Sequence, residues 1–205
     1  MNSDDRFLLP PGDTKRSFVS RAGAKLEAAL ETFSIPVPNF VCADLGANVG
    51  GFTDCLLQHG AAKVYAVDTA YGVLAWTLRK DPRVVVRERV NALHVRLPES
   101  VDLVSVDVGW TRQARILPAV RHLLKPDAAV LTLIKPHYES DAARTQRGVL
   151  EPAQSEQVLW EVVASIRASG WTVRGVVKSP LEGQKGNAEF VAWLSASPAN
   201  NPALD

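Results

Sequence analysis

The chain has 205 residues, enough for one domain with short tails. Its 46% hydrophobic and 22% charged residues describe an ordinary globular protein, which excludes a disordered or fibrous chain. Lys and Arg total 23 against 22 Asp and Glu, so a uniformly basic coat is excluded while a local basic patch is not. No apolar run approaches the ~18–20 residues of a membrane span. Met1–Asp13 carries three Asp and no apolar core, unlike a secretory signal. The two cysteines, Cys42 and Cys55, both lie in apolar runs, so neither a zinc site nor a disulfide framework is expected, and a reducing cytoplasm is.

Residues 1–16 are polar, contain Pro10-Pro11-Gly12 and predict a flexible lead-in. Ser20 predicts an N-cap for a helix reaching Phe33, with Leu26, Ala29, Leu30 and Phe33 on one face. Strands are predicted at Val41–Leu45, Lys63–Asp68, Val84–Arg87, Leu103–Val108, Val130–Lys135, Val173–Val177 and Glu189–Leu194. Helices fit between them at Gly51–His59, Tyr71–Arg79, Thr111–Leu124 and Pro152–Ser169. This alternation predicts a doubly wound, Rossmann-like α/β domain over 17–195, with a mostly parallel seven-stranded sheet and helices on both faces. No helix separates the last two strands, so the final one is expected to run antiparallel. Residues 196–205 predict a flexible tail.

Asp44-Leu-Gly46-Ala-Asn48-Val-Gly50-Gly51-Phe52 runs from a buried strand through a glycine turn into a helix. In an open α/β sheet that turn lies at the strands' carboxyl ends, where ligands bind. A dinucleotide loop reads G-x-G-x-x-G; here the spacing is G-x-x-x-G-G, preceded by Asp44. A carboxylate repels a pyrophosphate and suits a ligand with cationic groups. S-adenosyl-L-methionine carries an ammonium and a sulfonium. Asp68 ends the next strand, where an acid accepts hydrogen bonds from ribose hydroxyls, as both cofactor classes require.

Six separated segments then resemble, in order, the FtsJ-type ribose 2′-O-methyltransferases, in particular their TlyA (hemolysin-like) branch. They are Phe18–Leu26, Asp44–Leu57, Ala61–Asp68, Asp81–Val85, Leu133–Glu139 and Gly186–Phe190. The resemblance implies S-adenosyl-L-methionine as cofactor and RNA, in particular ribosomal RNA, as substrate. It also implies a catalytic Lys-Asp-Lys-Glu set at Lys25, Asp107, Lys135 and Glu189, and an adenine-reading Asn91. Methyl transfer needs the ribose oxygen aligned with the methyl donor and freed of its proton. A lysine can act as base or stabilise the alkoxide, so Lys135 is expected to be the base with Asp107 orienting it. A base lysine must be neutral near pH 7, and its protonation state is left open by the sequence. Each residue also has a plainer reading: Asp107 as a helix cap, Lys135 as a solvated strand end, Asn91 as a turn residue.

The cofactor set expected is thus Asp44, Gly46, Asn48, Gly50, Gly51, Phe52, Asp68, Asn91 and Asp107, with no metal. Lys15, Arg16, Arg21, Arg112 and Arg115 are candidate RNA contacts, and Arg79–Arg96 holds six basic and two acidic residues. Trp110 suits either base stacking or core packing. The branch carries an S4-type RNA-binding domain ahead of the catalytic one, and too few residues precede Phe18 for it. Either the sequence is a piece of a longer chain, or the catalytic domain or a partner grips RNA. Asp107-Val-Gly-Trp-Thr-Arg112 also departs from the branch's serine- and phenylalanine-containing stretch. A non-catalytic RNA-binding or ribosome-assembly protein with the same fold is the alternative.

Overall fold

A computed structural model of the chain describes residues 6–12, 16–141 and 148–196. Seven strands, β1 (Val41–Leu45), β2 (Lys63–Asp68), β3 (Val84–Glu88), β4 (Val101–Val106), β5 (Leu124–Ile134), β6 (Trp171–Lys178) and β7 (Phe190–Ala196), form one sheet in the order β3-β2-β1-β4-β5-β7-β6. The first five are parallel, and β7 is inserted antiparallel between β5 and β6, as expected. Strand side chains alternate between faces, and both faces are apolar. Ala43, Leu45, Tyr65 and Val67 meet α4 (Gln113–Val120) and α6 (Pro152–Ala168) in one core. Cys42, Val64 and Ala66 meet α1 (Ala22–Thr32) and α2 (Gly51–Gln58) in the other. Among the described residues no helix is long and apolar enough to cross a membrane, and no His, Cys, Asp and Glu group suits a metal.

Boundaries differ from expectation where local chemistry intervenes. Arg21, not Ser20, is the N-cap residue of α1, and it makes no side-chain capping bond. The predicted helix over Tyr71–Arg79 shrinks to α3 (Trp76–Arg79). Residues ahead of α3 instead form a loop whose amides are taken by carboxylates: Ala70 N donates to Asp68 Oδ1 at 2.7 Å and Gly72 N to Glu88 Oε1 at 2.9 Å. β5 begins six residues early, passing through Pro126 and a left-handed Asp127 (φ 61°) with a register shift against β4. The predicted lead-in is not wholly free either. Leu8 pairs with the β6 edge, its N–H donating to Val176 O at 2.7 Å and its carbonyl accepting from Lys178 N at 2.9 Å. Phe7 meets Phe190 edge-on, with ring centroids 5.1 Å apart. The expected flexible tail lies outside the described residues except for Ala196, the last residue of β7.

The strand order reverses between β1 and β4, since β2 and β3 lie to one side and β5 to the other. That switch point opens a crevice at the strands' carboxyl ends, and the site lies there.

Candidate active site

Two cavities of about 300 and 230 Å³ share Gly46, Asn48 and Asp107 as walls. Asp68, Val90, Asn91 and Thr111 complete the larger; Ser20, Arg21, Gly51 and Phe52 the smaller. Asp68, at the end of β2, accepts from Asn48 N (2.8 Å) and Ala70 N (2.7 Å). A carboxylate has about four acceptor positions, so Asp68 keeps capacity for a ligand diol. Asn91 caps the 3₁₀ turn Ala92–His94, its Oδ1 accepting from Leu93 N at 2.9 Å, and also lines the larger cavity.

Gly46 and Gly51 line the cavities, and the glycines of the turn also make room for neighbouring protein. A Cβ on Gly46 (φ 91°) would lie 2.3 Å from the Asp107 carbonyl oxygen, so glycine lets the turn press against the end of β4. On Gly50 (φ 107°) it would strike Leu78, and on Gly51 the Ser20 hydroxyl. Gly50 and Gly51 thus seat α3 and the start of α1, and those neighbours shape the crevice. Asp44 also departs from a simple cofactor contact. It is fully buried, lines neither cavity, and accepts from Thr53 Oγ1 (2.7 Å) and Ser105 Oγ (3.1 Å). Burial pushes its pKa up to about 7 against the downward pull of the two hydroxyls.

Lys25, Asp107, Lys135 and Glu189 resolve into two ion pairs. Lys135 Nζ donates to Asp107 Oδ1 at 2.5 Å, joining the ends of β5 and β4. Lys25 of α1 and Glu189, just ahead of β7, form a second pair, 7% and 4% exposed. Unpaired, either charge would be costly at such depth. Burial pulls the Lys135 pKa down, but the charge and hydrogen bond of Asp107, with Glu189 and Tyr138 adding, outweigh it and hold the pKa above its ordinary value. At rest Lys135 is therefore an ammonium, which decides the protonation state that the sequence leaves open. Asp107 is not the cap of α4. The N-cap position is Arg112's, without a side-chain capping bond, and Glu139 Oε1 accepts from Gln113 N at 2.8 Å, tying α5 (Pro136–Glu139) to the start of α4. Burial raises the Glu139 pKa in spite of that bond. Glu139 lies at the end of the segment Leu133–Glu139, and its one signal in the sequence is a carboxylate four residues beyond Lys135.

The basic candidates divide. Arg21 lines the smaller cavity and Arg115 is exposed on α4. Arg112 is exposed but lies 3.4 Å from Asp141 Oδ1. Arg16 is engaged in the fold, Nη1 lying 3.4 Å from the buried Glu27 carboxylate and 2.5 Å from His59 Nε2. Burial, with the Arg16 charge, lowers the His59 pKa. Arg16 thus closes over a buried acid while keeping 44% of its side chain exposed. Lys15 lies outside the described residues. Trp110 is 83% exposed, which removes the core reading, and stacks on Tyr138 with centroids 4.5 Å apart.

A mostly parallel seven-stranded sheet with antiparallel β7, and a crevice at the ends of β1 and β4 beside a carboxylate at the end of β2, define the Rossmann-like methyltransferase class. A methyltransferase of Aquifex aeolicus that depends on S-adenosylmethionine shares this fold at a TM-score of 0.61, 19% identity, covering 85% of this chain and 92% of that one. The chain belongs to the FtsJ-like methyltransferase family, which matches residues 18–196. It is 42% identical over 198 residues to the 16S/23S rRNA (cytidine-2′-O)-methyltransferase TlyA of Mycobacterium tuberculosis, covering 94% of this chain and 74% of that protein. Hemolysin A of Brachyspira hyodysenteriae is 38% identical, covering 85% and 75%. A hemolysin-like protein of Streptococcus thermophilus superposes at a TM-score of 0.86 with 36% identity, covering 92% of this chain and 70% of that one.

Proposed function

We propose that this protein transfers the methyl group of S-adenosyl-L-methionine to the 2′-hydroxyl of a cytidine in ribosomal RNA, in the cytoplasm. The observation that carries the reading is the pairing of Lys135 with Asp107 on the wall of the crevice, with the buried Lys25–Glu189 pair close enough for Glu189 to act on Lys135. A protein that only bound RNA would have no use for two lysine–carboxylate pairs at that place, one buried and one half-buried. The relative from M. tuberculosis is named for the same reaction on cytidine in 16S and 23S rRNA.

The residues present fit the cofactor. Asp68 offers acceptor capacity to a ribose diol, and Asn91 lies on the same wall for the adenine. Gly46 and Asn48 line both cavities, and Gly51 and Phe52 line the smaller one. Asp44, beneath the turn, acts through its field, which favours a cationic ligand once ionised. The cofactor supplies an electrophilic methyl group. Asp107 fixes Lys135, and the Lys135 ammonium stabilises the negative charge that develops on the ribose oxygen. A cationic ligand beside Lys135 lowers its pKa, so a base role opens only in the loaded enzyme. Arg21 and Arg115 contact RNA phosphates, and the exposed Trp110–Tyr138 stack receives an unpaired base.

The test is transfer of tritiated methyl from S-adenosyl-L-methionine to deproteinised ribosomal RNA and to intact subunits, followed by nucleoside mass spectrometry. The expected product is 2′-O-methylcytidine. No transfer to either, or methylation of a base, overturns the reading and leaves the non-catalytic RNA-binding alternative.

A further inference from the structure

On the far side of the crevice from Trp110, the loop after β2 and α3 carry a second group of exposed rings. Tyr71 is 68% exposed and Trp76 67%. Their exposure does not come from a loose segment. Leu74 and Leu78, from the same stretch, are buried against the glycine turn. Ala75 N donates to Val49 O at 2.9 Å, Gly72 N to Glu88 Oε1 at 2.9 Å, and Arg79 Nε to Leu74 O at 3.0 Å. Arg79 and Glu88 close the loop with an ion pair. A segment fixed at so many points, with its leucines inside, holds both rings in water.

Each ring also carries a cation. The Arg89 guanidinium lies 4.2 Å from the Tyr71 ring centroid, and Lys80 Nζ lies 4.8 Å from that of Trp76. The acids of this stretch are spent internally: Asp81 pairs with Arg83 and Glu88 with Arg79. Among the described residues Lys80 and Arg89 make no ion pair, and Arg87 beside them is exposed. The patch is therefore aromatic and net positive. Tyr, Trp and Arg also suit a protein interface, but Lys is depleted from its core, and two cations over the rings, with no ion pair among the described residues, favour a polyanionic occupant. Duplex RNA is recognised by shape across its minor groove and presents no free base faces. Unpaired RNA offers bases to the rings and phosphates to the cations.

We infer that Tyr71, Trp76, Arg89 and Lys80 form a second RNA-binding surface that stacks unpaired bases flanking the target. The inference deepens the RNA reading above and rests on it. Ala70, next to Tyr71, bonds to Asp68, and Arg89 precedes Val90; both Asp68 and Val90 line the larger cavity. In the sheet order, β2 and β3 lie on one side of β1, and β4 and β5 on the other. RNA whose ribose reaches Lys135 is thus held between two aromatic platforms.

The probe is a fluorescein-labelled single-stranded 12-mer of uridylate, titrated by fluorescence anisotropy beside a duplex of the same length. Tyr71→Leu and Trp76→Leu keep apolar area and lose the ring face; each is expected to weaken single-strand binding about tenfold or more. Tyr71→Phe and Trp76→Phe keep the ring and are expected to stay within about threefold of the original protein, since any base stacks on any ring. Neither residue lines either crevice cavity, so calorimetric affinity for S-adenosyl-L-methionine is expected to be unchanged in all four variants. Leu variants that bind the single strand normally overturn the inference, as does equal weakening for duplex. Loss of a dimer in the Leu variants by sedimentation, with RNA binding intact, overturns it in favour of an interface between copies. If ribosomal RNA is methylated normally and the Leu variants bind single strands normally, this inference falls alone. If no methyl is transferred but the Leu variants lose single-strand affinity, the catalytic reading falls and the surface stands.

Discussion

Replacing Asp44 by Asn tests the idea that a carboxyl group near neutrality lies beneath the glycine turn. Asp44 is fully buried, its oxygens accept from the Thr53 and Ser105 hydroxyls, and its pKa rises from an ordinary 3.8 to about 7. The folded protein therefore holds this proton more tightly than the unfolded chain. The contribution is most favourable below pH 3.8 and is lost progressively as pH rises toward and past 7. At about 1.4 kcal/mol per pH unit, the loss between pH 5 and pH 8 is of order 2–3 kcal/mol. Asn is neutral throughout, and the Thr53 and Ser105 hydroxyls can turn to donate to its oxygen or accept from its amide. Asp44→Asn should therefore gain on the original protein by about 2–3 kcal/mol between pH 5 and pH 8. Urea unfolding of both proteins at several pH values, followed by tryptophan fluorescence, measures this. A stability gap that stays constant with pH, or moves the other way, refutes the assignment of a protonated, buried Asp44.

Four further outcomes follow from the geometry. Lys135→Ala should lower methyl transfer by roughly 10²–10⁴-fold with cofactor affinity near normal; Lys135→Arg keeps charge without a removable proton, so near-normal turnover in it would leave only charge stabilisation. Arg16→Ala uncovers the buried Glu27 acid and should lower the melting temperature by several degrees with the salt dependence of RNA binding unchanged; a change in salt slope with no thermal effect would restore the phosphate contact. Arg21→Glu and Arg115→Glu should each flatten that salt slope by about one unit, read from binding titrations across ionic strength. Gly50→Ala combines a left-handed φ with a Cβ placed 2.2 Å from Leu78 Cδ1, and should destabilise by about 2 kcal/mol or more in chemical denaturation.

The strand pattern was readable because both faces of a doubly wound sheet are buried, leaving apolar runs bounded by turn residues; β1 and β2 begin and end where the sequence placed them. The helix before β3 was not readable in length, because Asp68 and Glu88 compete for the amides that a helix would have used. The four catalytic candidates were legible as residue types, and their arrangement as two pairs was not. Lys25 and Glu189 are 164 residues apart, and only the folded sheet brings α1 to the start of β7. The same holds for Arg16: its acid, Glu27, and its neighbour, His59, lie on two different helical segments, so a basic residue ahead of α1 looked free. The glycine turn announced a ligand edge, yet which glycines yield space to protein depended on Leu78 and Ser20, both distant in sequence. Trp110 could be assigned to solvent only once its stacking on Tyr138 was visible.

The place of β7 in the sheet also orders events during synthesis. It is the last of the seven strands to leave the ribosome, yet it lies between two that precede it, β5 and β6. Until it arrives, β6 has no neighbour linking it to β5, and the edge of β5 stands open. Lys25, already carried on α1, waits for Glu189, which immediately precedes β7. A nascent chain that has made the glycine turn, Asp68 and the Lys135–Asp107 pair thus has a crevice but lacks the second ion pair. Closure of the sheet and formation of the Lys25–Glu189 pair are then a single event, which waits until nearly the whole domain has been translated.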